Sequence, residues 1–81
     1  MTFTIDKPQD FSAVLSKASS EINNGGGTFS GTENSGKASA WGVEGSYEVV
    51  GDSIRISISK KPFIYPAFFL EKFIREYFQS A

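Results

Sequence analysis

The chain has 81 residues, a length that supports one hydrophobic core and predicts a single domain over residues 1–81. Hydrophobic residues make up 40% of it and aromatic residues 15%, which is enough apolar area to fold without disulfides and excludes a disordered chain. The absence of cysteine and histidine excludes thiolate and imidazole chemistry, and a net charge of -1 with scattered basic residues gives no footprint for nucleic acid.

The first predicted elements are a short strand and an amphipathic helix. Thr2 to Ile5 alternates polar and apolar residues, which is the period of a strand. A helix is predicted from about Lys7 to Asn23, with Asp6 as its N-cap. Its apolar stripe follows helical spacing: Phe11, Val14, Leu15, Ala18 and Ile22. The run Asn23-Asn24-Gly25-Gly26-Gly27 ends the helix, because Asn and Gly accept the left-handed backbone of a C-cap.

From residue 28 to residue 59 the period changes to two, and glycines divide the segment into three or four antiparallel strands. The last hairpin is predicted with Gly51-Asp52 as a two-residue loop. One face then pairs apolar residues, Val49 with Ile54, Tyr47 with Ile56 and Gly45 with Ile58. The other face pairs polar residues, Glu48 with Arg55 and Ser46 with Ser57. A shift by one residue would destroy both matches, so this register is predicted.

The strands before this hairpin are less defined by the sequence. Residues 28–32 and 37–41 are predicted to pair around Glu33-Asn34-Ser35-Gly36, with Gly31 opposite Ala38 and Phe29 opposite Ala40. Residues 37–50 form either two strands or one strand bent at a bulge, because Gly42 and Gly45 fit both arrangements. Trp41 is interpreted as a core or sheet-edge residue or as a stacking platform for a ligand ring.

Pro62 and Pro66 bracket a short extended segment, and Pro66 is predicted at the first position of a C-terminal helix that runs to about Gln79. Its predicted core stripe is Leu70, Phe73, Ile74 and Tyr77, extended by Pro66 and Phe69. Glu71 and Arg75 form a favourable pair one turn apart on the other side. The opposite face is polar, apart from Phe68 in its middle and Phe78 at its border.

The element order β-α-β-β-β(-β)-α predicts the α+β class. We expect two layers, a curved antiparallel sheet of four to five strands with both helices on one face. One buried cluster is predicted to contain Phe11, Val14, Leu15, Ile22, Ile54, Ile56, Ile58, Leu70, Phe73 and Tyr77.

No catalytic constellation is recognisable. Residues 31–37 match the first seven positions of the phosphate-binding loop pattern, but Ala38 stands where a hydroxyl must hold Mg²⁺. A strand is predicted after it where the pattern needs a helix, so the segment is interpreted as a hairpin turn. The acidic residues have local structural roles, Asp6 as a cap, Glu48 facing Arg55 and Glu71 facing Arg75. We therefore predict that the protein is not an enzyme and uses neither a cofactor nor a metal.

The segment 62–69 is more apolar than folding requires. Helical spacing places Phe68 in the middle of the polar face of the last helix, beside Lys72. The two prolines order the segment before it, so its side chains can be displayed at low entropic cost. We therefore predict a contact surface formed by Phe63, Tyr65 and Phe68. The alternative is that Phe68 folds under residues 62–65 as a satellite cluster.

The succession of strand, helix, glycine-rich meander and amphipathic helix entered through Lys60-Lys61-Pro62 resembles the small bacterial polyhydroxyalkanoic acid system proteins. The pattern that carries it is Gly45-x-Tyr47-x-Val49 followed by Ile54-x-Ile56-x-Ile58. The likeness covers nearly the whole chain, although the Ala-rich segment 37–40 and the Phe-rich last helix depart from the pattern. That family has no established activity, so the resemblance implies a small bacterial protein of unknown function.

Two functions from different classes follow from these features. The first is a non-enzymatic accessory or interaction domain that uses the Phe63 to Phe69 surface or a free sheet edge to bind an unknown protein partner or to self-associate. The second is a helix-grip-like binder of an apolar small molecule or lipid, held between the last helix and the curved sheet. We expect a soluble cytoplasmic protein without a transmembrane segment, because Met1 to Gln9 lacks the features of a signal peptide and no long apolar run follows.

Overall fold

The computed structural model describes residues 1–80, and its elements alternate much as the sequence predicts. They are β1 (Thr2–Asp6), α1 (Phe11–Asn24), β2 (Thr28–Gly31), β3 (Ser35–Ala40), β4 (Val43–Val50), β5 (Ser53–Lys60) and α2 (Ala67–Ser80). Within these residues the five strands form one open antiparallel sheet in the order β1-β5-β4-β3-β2. Both helices pack side chains into the cluster on one face of this sheet, which confirms the predicted α+β fold.

The β4–β5 hairpin has the predicted register. Val50 pairs with Ser53 around the Gly51-Asp52 loop, Val49 pairs with Ile54, and Glu48 pairs with Arg55. Gly51 has a φ of 63°, which suits the left-handed backbone of a two-residue hairpin turn. Ile54, Ile56 and Ile58 are buried on the inner face, so the alternation of apolar and polar residues sets which face is covered.

Residues 37–50 belong to two strands and not to one bent strand. Trp41 and Gly42 form the turn between β3 and β4, with φ values of 54° and 78°. Positive φ at both central residues is the requirement of a type I′ turn, which matches the twist of the flanking strands. A register shift between Glu44 and Gly45 shows that β4 also contains an irregularity.

The predicted register of the β2–β3 hairpin is wrong by two residues. Phe29 pairs with Ala38 and Gly31 pairs with Gly36, so residues 32–35 connect the last pair. The hydroxyl of Thr32 organises this turn, because it accepts hydrogen bonds from the backbone N–H groups of Asn34 at 3.1 Å and Ser35 at 3.4 Å. A shift by two leaves the same side chains facing the core.

The start of α1 also differs from the prediction. The helix begins at Phe11 with Asp10 as its N-cap, whose carboxylate accepts a hydrogen bond from the Ala13 N–H at 3.3 Å. Asp6 is the last residue of β1 and pairs with Ser53, and the Lys7 N–H donates to the Asp52 carbonyl at 2.8 Å. Pairing with β5 therefore extends the strand past the predicted cap, and the helix starts later.

The end of α1 is as predicted. The Gly27 N–H donates to the Ile22 carbonyl at 2.9 Å, and the Gly26 N–H donates to the Asn23 carbonyl at 3.2 Å. These two bonds form a Schellman motif, and Gly26 has the φ of 85° that the motif requires.

The segment before α2 is a turn and not the predicted extended chain. The Tyr65 N–H donates to the Pro62 carbonyl at 3.1 Å. Pro66 precedes the first helical residue, Ala67, so it acts as the N-cap and not as the first helical position. Its carbonyl accepts the N–H groups of Phe69 at 3.1 Å and Leu70 at 3.3 Å.

The core is centred on the β1–β5 half of the sheet. The cluster consists of Phe3, Ile5, Phe11, Ile54, Ile56, Ile58 and Leu70. Val14 is also buried, as predicted. Leu15, Ile22 and Tyr77, which were predicted to be buried, are only partly so.

The prediction for Phe73 is wrong, because its side chain is 57% exposed. The residues of α2 that face the core are Leu70, Ile74 and Phe78. Phe78 lies 6.2 Å from Phe11, measured between ring centroids, and the Arg75 guanidinium lies 5.5 Å from the Phe3 ring centroid. With these contacts, α2 is rotated about its own axis relative to the predicted orientation. Phe69 and Phe73 therefore face solvent.

Candidate interaction surface

Five large apolar side chains are exposed in one stretch of the chain, residues 63–73. Their exposed fractions are 92% for Phe63, 65% for Ile64, 75% for Phe68, 50% for Phe69 and 57% for Phe73. We call this group the aromatic surface. Single exposed apolar residues are common on proteins, but five within eleven positions are not.

The turn between β5 and α2 positions the first part of the aromatic surface. Tyr65 is half-buried and packs against the core cluster. Its ring also stacks on that of Phe69 with a centroid distance of 6.4 Å and an interplanar angle of 24°. Because Tyr65 is held at the base of the turn, Phe63 and Ile64 point away from the core.

The three predicted contact residues differ in their exposure to solvent. Phe63 and Phe68 are exposed, so the alternative in which Phe68 folds under the preceding segment does not apply. Tyr65 is only partly exposed and connects the aromatic surface to the core. The prediction that these residues contact a partner stays a prediction.

Phe73 was missed as a surface residue, and Ile64 and Phe69 lie within the predicted Phe63 to Phe69 surface but were not among its named contact residues. Phe69 and Phe73 are one turn apart, a spacing that normally marks the buried stripe of a helix. The signal for their exposure is the excess of apolar residues in α2, which has more than one face can bury. The members of this set are Phe68, Phe69, Leu70, Phe73, Ile74, Tyr77 and Phe78.

The charged residues around the aromatic surface fall into two groups. Arg75 and Glu71 form an ion pair at 3.0 Å, and Lys60 approaches Glu44 at 3.9 Å. Lys72 and Glu76 are exposed and form no ion pair with any residue in the part of the chain that the structure describes. The two free charges beside Phe69 and Phe73 are therefore opposite in sign.

Tyr77 links the end of α2 to α1. Its hydroxyl donates a hydrogen bond to the Glu21 carboxylate at 2.9 Å, and the Lys17 ammonium lies 5.4 Å from its ring centroid. Burial, this hydrogen bond and the charge of Glu21 raise the pKa of Tyr77 to about 12. The contact therefore joins the last turns of α2 to α1, in addition to the contact of Phe78 with Phe11.

Two depressions lie away from the aromatic surface. One, of about 370 Å³, is on the outer face of the sheet, where Lys37 and serine hydroxyls surround the exposed Glu48–Arg55 ion pair of 3.7 Å. The other, of about 480 Å³, lies between α1 and β2 and is lined by Leu15, Phe29 and serines. Neither is lined by a residue of α2.

Other candidate sites from the sequence have structural roles. The segment that matches the phosphate-binding loop is the β2–β3 hairpin, as interpreted. Trp41 is 63% exposed at the β3–β4 turn, and its ring lies over Gly25, where an added Cβ would be 2.9 Å from Cζ2. Among residues 1–80 no group of three acidic side chains is placed to hold a metal ion.

Comparisons with known proteins do not assign the chain to a family. Searches against protein-family models, curated proteins and solved structures found no match. The resemblance to polyhydroxyalkanoic acid system proteins therefore stays a prediction. Within residues 1–80, neither helix combines the length and apolar character needed to cross a membrane.

Proposed function

We propose that the protein is a small non-enzymatic interaction domain and that the aromatic surface contacts its partner. The observation that carries the proposal is the exposure of Phe63, Ile64, Phe68, Phe69 and Phe73. Burying one such phenylalanine in a complex contributes roughly 1.5–3 kcal/mol, so a few of them supply the hot spot of an interface.

The local structure supports this proposal because the surface is ordered before binding. Pro62 accepts the turn hydrogen bond from Tyr65, and Pro66 caps α2. Tyr65 is packed against both Phe69 and the core. A pre-ordered surface loses less conformational entropy when it binds than a flexible one.

The assignment of a non-enzymatic role rests on the surroundings of the polar residues. Asp10 caps α1, Glu21 accepts the hydrogen bond of Tyr77, and Glu44, Glu48 and Glu71 each lie beside a basic residue. These contacts give the carboxylates structural partners without the paired geometry of acid–base catalysis.

The second candidate function, binding of an apolar ligand between α2 and the sheet, has less support. Leu70, Ile74 and Phe78 occupy that space by packing against the core cluster. A ligand would have to displace these side chains. Lipid that co-purifies with the protein in native mass spectrometry would favour this candidate. A cytoplasmic location stays a prediction, which fractionation of the cells that make the protein would test.

Site-specific photo-crosslinking tests the proposed function. A benzoylphenylalanine replaces Phe68 in one variant and Val50 in a control, because Val50 is 51% exposed but lies at the distant β4–β5 turn. In the cells that make the protein, we expect an adduct of defined mass with the probe at position 68 and none at position 50. Equal labelling from both positions, or none from either, would overturn the proposal.

A further inference from the structure

We infer that the partner of the aromatic surface is a second copy of this chain, bound about a two-fold axis. This inference rests on the proposed function and names its partner. A two-fold dimer is the commonest assembly of a single chain, and it buries the same surface on both copies. Three properties of the aromatic surface fit that arrangement: its area, its shape and its charge.

The exposed area matches the requirement of a small dimer. A fully exposed phenylalanine presents on the order of 200 Å², so the exposed fractions of the five side chains correspond to roughly 600 Å² on each copy. Two such surfaces face to face bury about 1,200 Å² in total, which is the lower limit for specific, stable protein interfaces. A larger partner is not needed to cover this patch.

The shape of the surface suits an identical helix. Phe69 and Phe73 are one turn apart and form a short ridge along the exposed side of α2. Phe63 and Ile64 extend the apolar area beyond the start of the helix. Ridges of this spacing pack into the groove beside the same ridge on another helix.

The charges beside the ridge on one copy are complementary to those on a second copy. Helical periodicity places Lys72 and Glu76 on the same flank of Phe69 and Phe73, and both are exposed. If the two copies of α2 run antiparallel, Lys72 can pair with Glu76 of the partner subunit, and the reciprocal pair forms by symmetry. An anionic lipid surface would attract Lys72 but repel Glu76, so it fits these charges less well.

Sedimentation velocity over a concentration series, from micromolar to submillimolar protein, tests the dimer. We expect the wild-type chain to approach twice the monomer mass as concentration rises. Phe69→Ser and Phe68→Ser should each weaken association by about tenfold or more, and the control Val50→Ser should not change it. Circular dichroism of each variant checks that it is folded. A wild-type chain that stays monomeric throughout, or equal weakening by Val50→Ser, would overturn the inference.

Exchanging charges tests the antiparallel pairing. Lys72→Glu and Glu76→Lys should each weaken self-association, because each places like charges together in both symmetric pairs. An equimolar mixture of the two variants should associate as tightly as wild type, since every pair then joins opposite charges. A mixture that associates no better than either variant alone would contradict the pairing.

The photo-crosslinking experiment separates failure of the dimer from failure of the proposed function. An adduct of twice the monomer mass from position 68 supports both. An adduct of any other mass supports the proposed interaction surface but contradicts the inference that its partner is a second copy of the chain. Absence of a specific adduct overturns both.

Discussion

The ring of Tyr47 lies against the backbone of Gly36, its cross-strand partner on β3, so that a methyl group added to Gly36 would be 2.6 Å from Tyr47 Cε1. The same ring stacks with Phe29 at a centroid distance of 6.2 Å. Its hydroxyl donates a hydrogen bond to the Thr32 carbonyl. Tyr47 therefore joins three strands, and it can do so only because Gly36 has no side chain.

Gly36→Ala should lower the free energy of unfolding by about 1–3 kcal/mol, because the new methyl group displaces the Tyr47 ring from a well-packed position. Urea denaturation measures this loss. Combining the change with Tyr47→Ala should give a smaller loss than the sum of the two single variants, since removal of the ring relieves the clash.

Gly26→Ala is the matched control for that prediction. Nothing lies within 4 Å of an added Cβ at Gly26, but its φ is 85°. Its loss should be about 1–2 kcal/mol and should come from the backbone alone. In the double variant, the losses of stability caused by Gly26→Ala and Tyr47→Ala should therefore be additive. Additivity for Gly36→Ala as well would show that Tyr47 is not the cause of its loss.

Phe68→Ser and Leu70→Ser should differ strongly in stability. Phe68 is 75% exposed and Leu70 only 8%, although the two residues are close neighbours on α2. Leu70→Ser should cost roughly 3 kcal/mol or more, because it leaves a cavity and buries a hydroxyl. Phe68→Ser should leave the melting temperature of dilute, monomeric protein nearly unchanged. Comparable unfolding by both variants would place Phe68 in the core and remove it from the aromatic surface.

Trp41→Asn should stabilise the β3–β4 turn. Trp41 has a φ of 54°, a left-handed conformation that is unfavourable for a bulky residue and common for asparagine. Its side chain is 63% exposed, so replacement removes little buried area. The free energy of unfolding should rise by about 1 kcal/mol in chemical denaturation. A decrease would mean that the contact of the ring with Gly25 outweighs the backbone strain.

Stability should fall at alkaline pH because of Tyr77. Its pKa is raised to about 12 in the folded protein from the ordinary value of 10.0. The protonated hydroxyl therefore stabilises the fold fully below pH 10, and this contribution is lost between pH 10 and about 12, where the unfolded state loses its proton first. Burial also raises the pKa of Tyr47, which acts in the same direction.

Absorbance of the phenolate group measures this effect directly. The difference between the titrations of wild type and Tyr77→Phe isolates Tyr77, and its midpoint should lie near 12. Glu21→Gln should lower that midpoint, because it removes the negative charge that opposes ionisation. A midpoint at 10.0 in the wild type would show that neither the burial of Tyr77 nor its contact with Glu21 is maintained in solution.

The parts of the fold that short-range patterns specify could be predicted from the sequence. The β4–β5 register follows from alternation on both faces of one hairpin, and the end of α1 follows from glycines that accept left-handed backbone. The start of α1 could not be read in the same way. Both Asp6 and Asp10 are suitable caps, and only the pairing of β1 with a distant strand, β5, assigns Asp6 to the sheet.

Only some residues of the aromatic surface could be predicted from the sequence, for a related reason. Phe68 breaks the polar face of the last helix, so periodicity places it away from the core stripe, but only the structure shows that residues 62–65 do not cover it. Phe69 and Phe73 fit a core stripe equally well, because α2 has apolar residues around more than half of its circumference. Contacts made across the fold, Phe78 on Phe11 and Arg75 over Phe3, choose which of these residues are buried. Local periodicity determined that α2 is amphipathic, whereas packing between elements far apart in the chain decided its rotation and so added Phe69 and Phe73 to the aromatic surface.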